Sequence, residues 1–253
     1  MPRPAPRHDH DAGGDRSVLE AKAELRDLAW SRIREAEAAR FPAPEGRIPN
    51  FVGAERAADA LQTLDAWAAA ATVKANPDSP QWPVRQRALE DGKTVFMAVP
   101  RLAEPEPFFL LDPSDLADTP RRASSIKGAT RSARRVTVAE LEPVDLVVTG
   151  CVAVDESGAR LGKGGGFSDL ELAIAAEAGL IADRTVVATT VHDAQVLDED
   201  LIPMVGHDIG LDLIVTPTRV IHCPARRRPI GVQWDVLTNA KIDAIPVLRA
   251  MRS

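Results

Sequence analysis

Residues 160–169 combine glycines, two basic residues and one acid in a pattern that suits phosphate binding. The run reads RLGKGGGFSD, and its glycines are Gly162, Gly164, Gly165 and Gly166. Positions without a Cβ atom allow positive φ and let backbone N–H groups converge on an anion, and a following helix adds the partial positive charge of its N-terminus. Arg160 and Lys163 supply full charges for phosphate oxygens. The pattern predicts a triphosphate cradle; a glycine-rich turn without a ligand is the alternative.

This loop differs from the two common nucleotide motifs. Lys163 precedes the later glycines, so GxxxxGK[ST] fails, and Phe167 stands where GxGxxG needs its last glycine. Asp169 falls in the first turn of the expected helix, and a carboxylate beside a phosphate cradle is what Mg²⁺ requires. The alternative for Asp169 is a local role at the helix dipole, because Ser168 and Glu171 have the spacing of a capping box.

The elements that position the loop are those of an α/β fold. Short, nearly continuous runs of Val, Ile and Leu alternate with helical segments, which is typical of a parallel sheet covered on both faces. The expected strands are 72–74, 94–99, 145–154 with a bend at Gly150, 185–191 and 211–216. The expected helices are 17–40, 54–70, 82–90 and 168–178. We predict a three-layer α/β architecture with a mostly parallel sheet, helices on both faces and an N-terminal helical part.

The boundaries of this architecture follow from local signals. Ser17 and Glu20 are spaced as a capping box at the start of the first helix, and Phe41-Pro42 follows its expected end near Arg40. We expect residues 1–16 to be a flexible tail and residues 17–253 to form a single domain. The proline-rich stretch 101–120 is expected to be a long surface connection around the apolar run Phe108–Leu111.

Composition narrows the class of protein. The chain has 253 residues, 45% of them hydrophobic and 27% charged, which suffices for a sizeable core. A net charge of −6 argues against a chain that coats nucleic acid. No stretch approaches the roughly 18–20 apolar residues of a membrane helix. The two cysteines form no CxxC pair, so neither a disulfide framework nor a zinc site is indicated, and a reducing cytoplasm fits best.

Other polar groups leave alternatives open. A basic segment at 121–135 contains no acid and is either a solvated face or a rim that steers an anion; its cations are Arg121, Arg122, Lys127, Arg131, Arg134 and Arg135. The pairs His192-Asp193 and His207-Asp208 lie next to strands, where they either face the ligand-binding edge of the sheet or cap loops. Arg219 either contacts a phosphate or forms a surface ion pair. No context typical of a Ser or Cys nucleophile surrounds any candidate.

The glycine loop also resembles that of the 5-formyltetrahydrofolate cyclo-ligase family, the methenyltetrahydrofolate synthetases, which reads approximately RLGxGxGYYDR. That family's N-terminal helix carries KxxLR, similar to KAELR at 22–26. Further motifs look like a paralogous cyclo-ligase-like group that includes the methenyltetrahydrofolate synthetase domain-containing proteins. They are RIPNF at 47–51, KANPDSPQ at 74–81, VPRL at 99–102 and TPTRVI at 216–221.

The resemblance implies an enzyme in which ATP phosphorylates the formyl oxygen of 5-formyltetrahydrofolate. Attack by N10 then closes the ring to 5,10-methenyltetrahydrofolate, with release of ADP and phosphate. It implies that ATP is held by Lys22, Arg26, Arg160 and the backbone of Gly162–Gly166, and Mg²⁺ by Asp169. The expected catalytic residues are Arg160, Lys163 and Asp169. The nucleotide site also includes Leu161, Phe167 and Ser168. Substrate contacts are assigned to Phe167 and Glu55, with a surface-helix charge as the alternative for Glu55.

Departures from the family pattern bear on the substrate. Where the family has two tyrosines followed by Asp-Arg, this chain has Phe167, Ser168, Asp169 and Leu170, and it contains no tyrosine. The first hypothesis is an Mg·ATP-dependent 5-formyltetrahydrofolate cyclo-ligase. The second is a paralogue that acts on a non-folate amide or formamide, in thiamine-related or specialised metabolism, and the third a non-catalytic nucleotide-binding protein. We expect a small-molecule partner, no nucleic acid or membrane, and a monomer or homodimer.

Overall fold

Helices and strands alternate along most of the chain in the computed structural model, which describes residues 11–224, 228 and 231–252, with side chains from residue 17 onward. The helices are α1 (Asp11–Glu35), α2 (Ala54–Gln62), α3 (Asp65–Ala69), α4 (Trp82–Glu90), α5 (Pro120–Ala123), α6 (Ile126–Ser132), α7 (Phe167–Glu177), α8 (Asn239–Ala244) and α9 (Pro246–Arg252). The strands are β1 (Thr72–Ala75), β2 (Thr94–Ala98), β3 (Phe108–Leu111), β4 (Arg134–Val136), β5 (Val144–Thr149), β6 (Ala153–Asp155), β7 (Arg160–Leu161), β8 (Ile181–Thr190), β9 (Val196–Leu197), β10 (Leu213–Val215) and β11 (Val220–His222).

An eight-stranded sheet forms the centre of the fold, in the order β11-β10-β8-β5-β1-β2-β3-β4. The five inner strands from β10 to β2 are parallel, whereas β11 at one edge and β3 and β4 at the other are antiparallel. In the register of the central strands, Val73 pairs with Val95 and with Leu146. The predicted mostly parallel sheet is confirmed.

The main sheet separates two hydrophobic cores, one on each of its faces. Val73 and Ala75 of β1 pack in one cluster with α2 to α6, whereas Phe96 and Val147 pack in the other with α7 to α9. Because successive side chains of a strand point to opposite faces, each strand contributes to both cores. The result is the predicted three-layer arrangement with helices on both faces.

A second sheet of three strands, β7-β6-β9, lies between the first helix and the glycine loop. Ala29 of α1 packs against Val152, Ala153 and Leu161 of this segment. One turn later in α1, Ile33 packs against Phe51 and the start of α2. The spacing of Lys22, Arg26, Ala29 and Ile33 places all four on one face of α1, so the packing of the last two directs the first two toward the loop.

The first helix departs from its predicted boundaries. It begins at Asp11, so Ser17 lies inside the helix and the predicted capping box with Glu20 is wrong. Residues 11–16, expected in the tail, belong to the helix, and residues 1–10 of that tail lie outside the described residues. The helix ends at Glu35 rather than near Arg40, because the chain turns at Glu37, whose φ is 51°.

Two other segments differ from expectation. The helix predicted at 54–70 is divided into α2 and α3, because Leu64 is extended and the Thr63 hydroxyl donates to the Ala60 carbonyl at 2.8 Å. Phe108–Leu111, expected within a surface connection, is strand β3 of the main sheet, antiparallel to β2. All of its residues except Leu110 are buried, which explains the apolar run.

The basic segment at 121–135 forms α5, α6 and β4, and several of its cations have surface partners. Arg131 pairs with Asp118 at 2.9 Å, and Arg134 pairs with Glu140 at 2.8 Å. Arg121 lies over the ring of Trp82, 4.7 Å from its centroid. These contacts favour the solvated face over the anion-steering rim.

Candidate active site

The glycine loop connects β7 to α7 and is fixed by two basic side chains from distant helices. Gly164 and Gly166 have φ of 98° and 66°, values that favour glycine. Arg26 of α1 donates from Nε to the Gly162 carbonyl at 2.7 Å, and Lys241 of α8 donates to the Gly165 carbonyl at 3.2 Å. The structure therefore brings the predicted partners Arg26 and Gly162–Gly166 together.

Arg160 lies beneath this loop and orients the predicted metal ligand. Its guanidinium donates to the Asp169 carboxylate and, through Nε, to the Ile209 carbonyl at 3.0 Å. Burial lowers the pKa of Arg160, but the charge of Asp169, together with smaller contributions from Cys151 and Asp208, outweighs burial and raises the pKa. Only 3% of the residue is exposed, and in this structure Arg160 positions the Asp169 carboxylate.

Lys22 of α1 forms an ion pair with Asp208, for which the sequence left open a place at the ligand-binding sheet edge or a loop cap. Asp208 also accepts a hydrogen bond from the backbone N–H of Val205 at 2.8 Å. Burial lowers the pKa of Arg26, and the charges of Asp208 and Asp27 oppose that shift, which places Asp208 among the charges around Arg26. The site therefore has two carboxylates, Asp169 and Asp208, each held by a cation.

Two cavities adjoin the loop from different sides. The smaller cavity, about 300 Å³, has the apolar lining residues Leu170, Ala173, Val232, Val236 and Leu237, and Asp208 is among its polar ones. The larger cavity, about 560 Å³, is lined by residues that include Ile48, Asn76, Asp78, Arg101, Phe167 and Glu171. Gly166 and Asp169 line both, so a molecule in one cavity and a molecule in the other meet at these two residues.

The floor of the larger cavity holds a buried ion pair that the sequence analysis missed. Lys74 Nζ lies 2.5 Å from Glu171 Oε2, and Asn76 Nδ2 donates to the same oxygen at 2.8 Å. Ser168 donates to Asn76 Oδ1 at 3.2 Å, so the capping box predicted for Ser168 and Glu171 is not formed. Gly166 is the N-cap residue of α7 instead. A lysine within the apolar strand β1 was the signal that could have revealed this pair.

One buried arginine shapes the wall formed by residues 76–79. Arg85 of α4 donates to the backbone carbonyls of Asn76 at 2.5 Å and Asp78 at 3.1 Å. Its burial lowers the pKa to about 10, with the charge of Asp78 opposing the shift. The Asp78 carboxylate faces Lys163 of the glycine loop at 3.3 Å. Lys163 is exposed and lines the larger cavity, where it can reach a ligand anion.

Comparison with known proteins bears on this arrangement. Residues 18–217 match the 5-formyltetrahydrofolate cyclo-ligase family. The chain belongs to that family. It is similar to the methenyltetrahydrofolate synthase domain-containing proteins of Bos taurus, at 38% identity over 92% of this chain and 62% of the relative, and of Mus musculus, at 39% over 92% and 63%. The chain thus spans a little under two thirds of the length of these relatives.

Members named as cyclo-ligases match over a shorter region. The 5-formyltetrahydrofolate cyclo-ligase of Mycolicibacterium smegmatis is 43% identical over 77 residues, which are 30% of this chain and 36% of the relative. The NMR structure of 5,10-methenyltetrahydrofolate synthetase from Aquifex aeolicus matches with a TM-score of 0.52 at 20% identity, covering 85% of this chain and 99% of that chain. That likeness shows that the fold is shared.

The site around the glycine loop does not include every residue suggested by the sequence. Glu55 lines neither cavity, because its carboxylate accepts from Arg40 at 2.9 and 3.1 Å on the protein surface. Arg219 pairs with Glu156 at 2.7 Å, which is the surface ion pair considered for it. His192 and Asp193 cap the loop after β8, where Asp193 accepts from Thr216 and Thr218. Of the two His-Asp pairs, only the one containing Asp208 lies at the loop.

Both cysteines of the chain have a raised thiol pKa. Cys151 is buried, which raises the pKa of its thiol, and burial together with Asp212 raises the pKa of Cys223 to about 12. Within residues 11–224, 228 and 231–252, no group of three or more His, Cys, Asp or Glu side chains could hold a metal ion. Over the same residues, no helix is both long and apolar enough to cross a membrane.

His192 gives a pH test of the loop that follows β8. Its Nδ1 atom accepts from the Ala194 N–H at 3.1 Å and must be unprotonated to do so. Burial lowers the pKa of His192 below its ordinary 6.5, Asp193 opposes the shift and Arg56 adds to it. The unfolded chain then binds more protons, so stability falls as the pH drops below about 6.5. We expect the urea midpoint to fall less on acidification for His192→Gln than for the wild type; equal falls would contradict this assignment.

Proposed function

We propose that the protein is an ATP-dependent ligase of the cyclo-ligase type, which transfers the γ-phosphoryl group of Mg·ATP to a formyl or amide oxygen. The observation that carries the proposal is that Gly166 and Asp169 line both cavities. The nucleotide base occupies the smaller, mostly apolar cavity, its phosphates lie on the glycine loop, and the acceptor lies in the larger cavity. The γ-phosphate then meets the acceptor oxygen at the residues that the cavities share.

The phosphates have basic neighbours on both sides of the loop. Lys22 of α1 pairs with Asp208 at the smaller cavity and Lys163 lies within the loop, while Arg26 and Lys241 hold the loop carbonyls at Gly162 and Gly165. The N-terminus of α7 adds its partial positive charge. Phosphoryl transfer depends mainly on positioning and charge neutralisation, so this arrangement meets its main requirement without a nucleophilic side chain.

Magnesium fits the donor set at Asp169 and Asp208. Mg²⁺ prefers carboxylate oxygens, binds through one or two of them, and completes its octahedron with phosphate oxygens and water. When bound, it neutralises charge on the nucleotide phosphates. Arg160 and the Ile209 N–H, which lies 3.3 Å from Asp169 Oδ1, keep that carboxylate oriented toward the cavities.

The acceptor in the first proposal is 5-formyltetrahydrofolate. Transfer of the phosphoryl group to the formyl oxygen makes phosphate a leaving group, attack by N10 on the formyl carbon closes the ring, and 5,10-methenyltetrahydrofolate, ADP and phosphate are released. The family membership supports this choice. We place the reaction in the cytoplasm and in a monomer or homodimer.

A second acceptor class, a non-folate amide or formamide, is favoured by the residues lining the larger cavity. Phe167 and Ser168 stand in place of the family's tyrosines, and the Lys74–Glu171 ion pair lies below them. These side chains leave the nucleotide half of the site unaltered. The two acceptor classes therefore differ only in what the larger cavity binds.

Lys22→Met tests the nucleotide half of the proposal. We expect titration calorimetry to show Mg·ATP binding weakened by roughly 1.5–3 kcal/mol, the range for a charge-assisted hydrogen bond. Lys127→Met is the matched control, because Lys127 is exposed on α6 and, unlike Lys22, is not paired with the cavity residue Asp208. Equal Mg·ATP affinities for the wild type and both variants would place the nucleotide elsewhere.

A further inference from the structure

Glu171 is a buried carboxylate at the larger cavity, and one of its two oxygens is committed to the protein. The residue is 4% exposed and lines that cavity. Oε2 accepts from both Lys74 and Asn76. Oε1 makes no hydrogen bond with any residue in the described part of the chain, and this atom is accessible to solvent.

The partners of Glu171 are themselves held in place. Lys74 lies within β1 between β2 and β5 and is 2% exposed. Asn76 uses its side-chain oxygen to accept from the Gly150 N–H at 2.9 Å and from Ser168 at 3.2 Å. Neither side chain can turn toward a ligand without breaking these contacts, so the free oxygen of Glu171 is the polar group that the floor offers.

The position of Glu171 relative to Phe167 indicates the shape of the ligand. The two residues are four apart on α7, which places them on the same face of the helix, one turn apart, and both line the larger cavity. A flat ring that stacks on Phe167 therefore directs one edge toward Glu171. A buried carboxylate oxygen needs a donor, and an anionic group at this depth would be repelled.

We propose that Glu171 determines which ligand the larger cavity accepts, by taking a hydrogen bond from an N–H group on the edge of a planar nitrogen heterocycle. Lys74 and Asn76 are positioning residues that orient the carboxylate. The inference rests on the proposed function, in which this cavity holds the phosphoryl acceptor. Glu171 adds the requirement that the ligand carries an N–H donor, and the glycine loop does not impose this requirement.

Glu171→Gln is the sharpest test. The amide oxygen can accept from Lys74 and Asn76, which turns the amide N–H₂ toward the cavity and replaces an acceptor by a donor. Two formamides are compared by calorimetry in the presence of Mg²⁺ and the β,γ-imido analogue of ATP. One is a formylated aminomethylpyrimidine with an exocyclic amino group, and the other is N-formylbenzylamine, whose ring has no N–H donor.

The expected result is a preference of at least roughly tenfold for the pyrimidine in the wild type, lost in Glu171→Gln through weaker binding of the pyrimidine alone. 5-Formyltetrahydrofolate, which also presents N–H groups on a flat ring, serves as a second probe and should follow the pyrimidine. Equal affinities of the wild type and Glu171→Gln for these probes would overturn the inference, as would wild-type protein that binds neither pyrimidine nor folate.

Two further variants separate recognition from folding. Removing one partner of a buried ion pair is destabilising, whereas replacing both by apolar residues is often neutral. Lys74→Met combined with Glu171→Leu should therefore unfold near the wild-type midpoint and still lose the preference. Glu90→Gln, an exposed charge change outside the cavity, should retain it. Binding of the ATP analogue is measured on the wild type and on each variant, and it reports on the nucleotide site. A wild-type protein that does not bind the analogue refutes the proposed function. Binding of the analogue together with unchanged probe selectivity in Glu171→Gln refutes only the role of Glu171.

Discussion

Asp208→Asn is expected to change ATP binding in opposite directions with and without magnesium. With Mg²⁺ present, loss of one carboxylate ligand should weaken ATP binding roughly 10- to 100-fold, the scale of a charge-assisted contact. Without Mg²⁺, the same substitution releases Lys22 from its ion pair, so ATP should bind more tightly than it does to the wild type. Titration calorimetry in Mg²⁺ and in a chelator measures both affinities directly.

The opposite signs separate this role from a structural one. A variant that merely loosened the loop around residues 205–209 would weaken ATP binding under both conditions. Asp198→Asn is the control, since it removes the same charge from an exposed position outside both cavities. Parallel weakening with and without Mg²⁺ in Asp208→Asn would refute the metal assignment. Asp169→Asn should also abolish the Mg²⁺ effect, but it leaves Arg160 buried without its counter-charge and requires a parallel unfolding measurement.

The sequence predicted the parts of this fold that depend on periodic patterns. Buried parallel strands read as continuous apolar runs, so the strands around Val95, Val147 and Val187 were placed correctly. Strand β3, which lies between β2 and the edge strand β4, was missed, because four apolar residues between prolines have no visible period. The early start of α1 was also missed, since its first turns carry few apolar residues and the Ser17–Glu20 spacing imitated a cap.

The candidate site shows the same division between local and long-range information. The glycine loop is one continuous motif, so its place between β7 and α7 followed from the sequence. Asp208 lies 186 positions from its partner Lys22, and Glu171 lies 97 positions from Lys74. No local pattern encodes such pairs. For Glu171, a plausible local partner at Ser168 competed with the true one, which only the packing of α7 over β1 reveals.

Slow turnover of 5-formyltetrahydrofolate beside intact ATP binding is the second expected result. In the site, Phe167 lines the larger cavity and lies beneath Lys241, whose Nζ is 5.6 Å from the ring centroid. The Ser168 hydroxyl donates a hydrogen bond to Asn76 Oδ1. Neither side chain supplies a phenol near the formyl group. A group that orients the formyl oxygen acts mainly on the transition state, so its absence lowers turnover more than binding.

We expect a turnover rate at least about a hundredfold below the 1–10 s⁻¹ typical of enzymes. The absorbance of the methenyl product measures this rate. ATP affinity, measured on the same preparation, should be that of a functional nucleotide site. Turnover on the order of 1–10 s⁻¹ would refute this expectation and show that this chain does not need the phenols that the family carries at positions 167 and 168.

Where turnover is slow, Phe167→Tyr combined with Ser168→Tyr should raise it, because both positions line the larger cavity beside the shared residues Gly166 and Asp169. Phe41→Tyr is the matched control: Phe41 is 93% exposed and lines neither cavity, so a phenol there should leave the rate unchanged.

Failure of the double variant to raise the rate would show that specificity lies elsewhere in the cavity. Two places then remain, the Glu171 floor and the proline-rich segment from Arg101 to Pro120, which contributes Arg101 to the cavity wall. Glu171→Gln in the double-tyrosine background decides between them, since a changed rate assigns specificity to the floor and an unchanged rate assigns it to the segment.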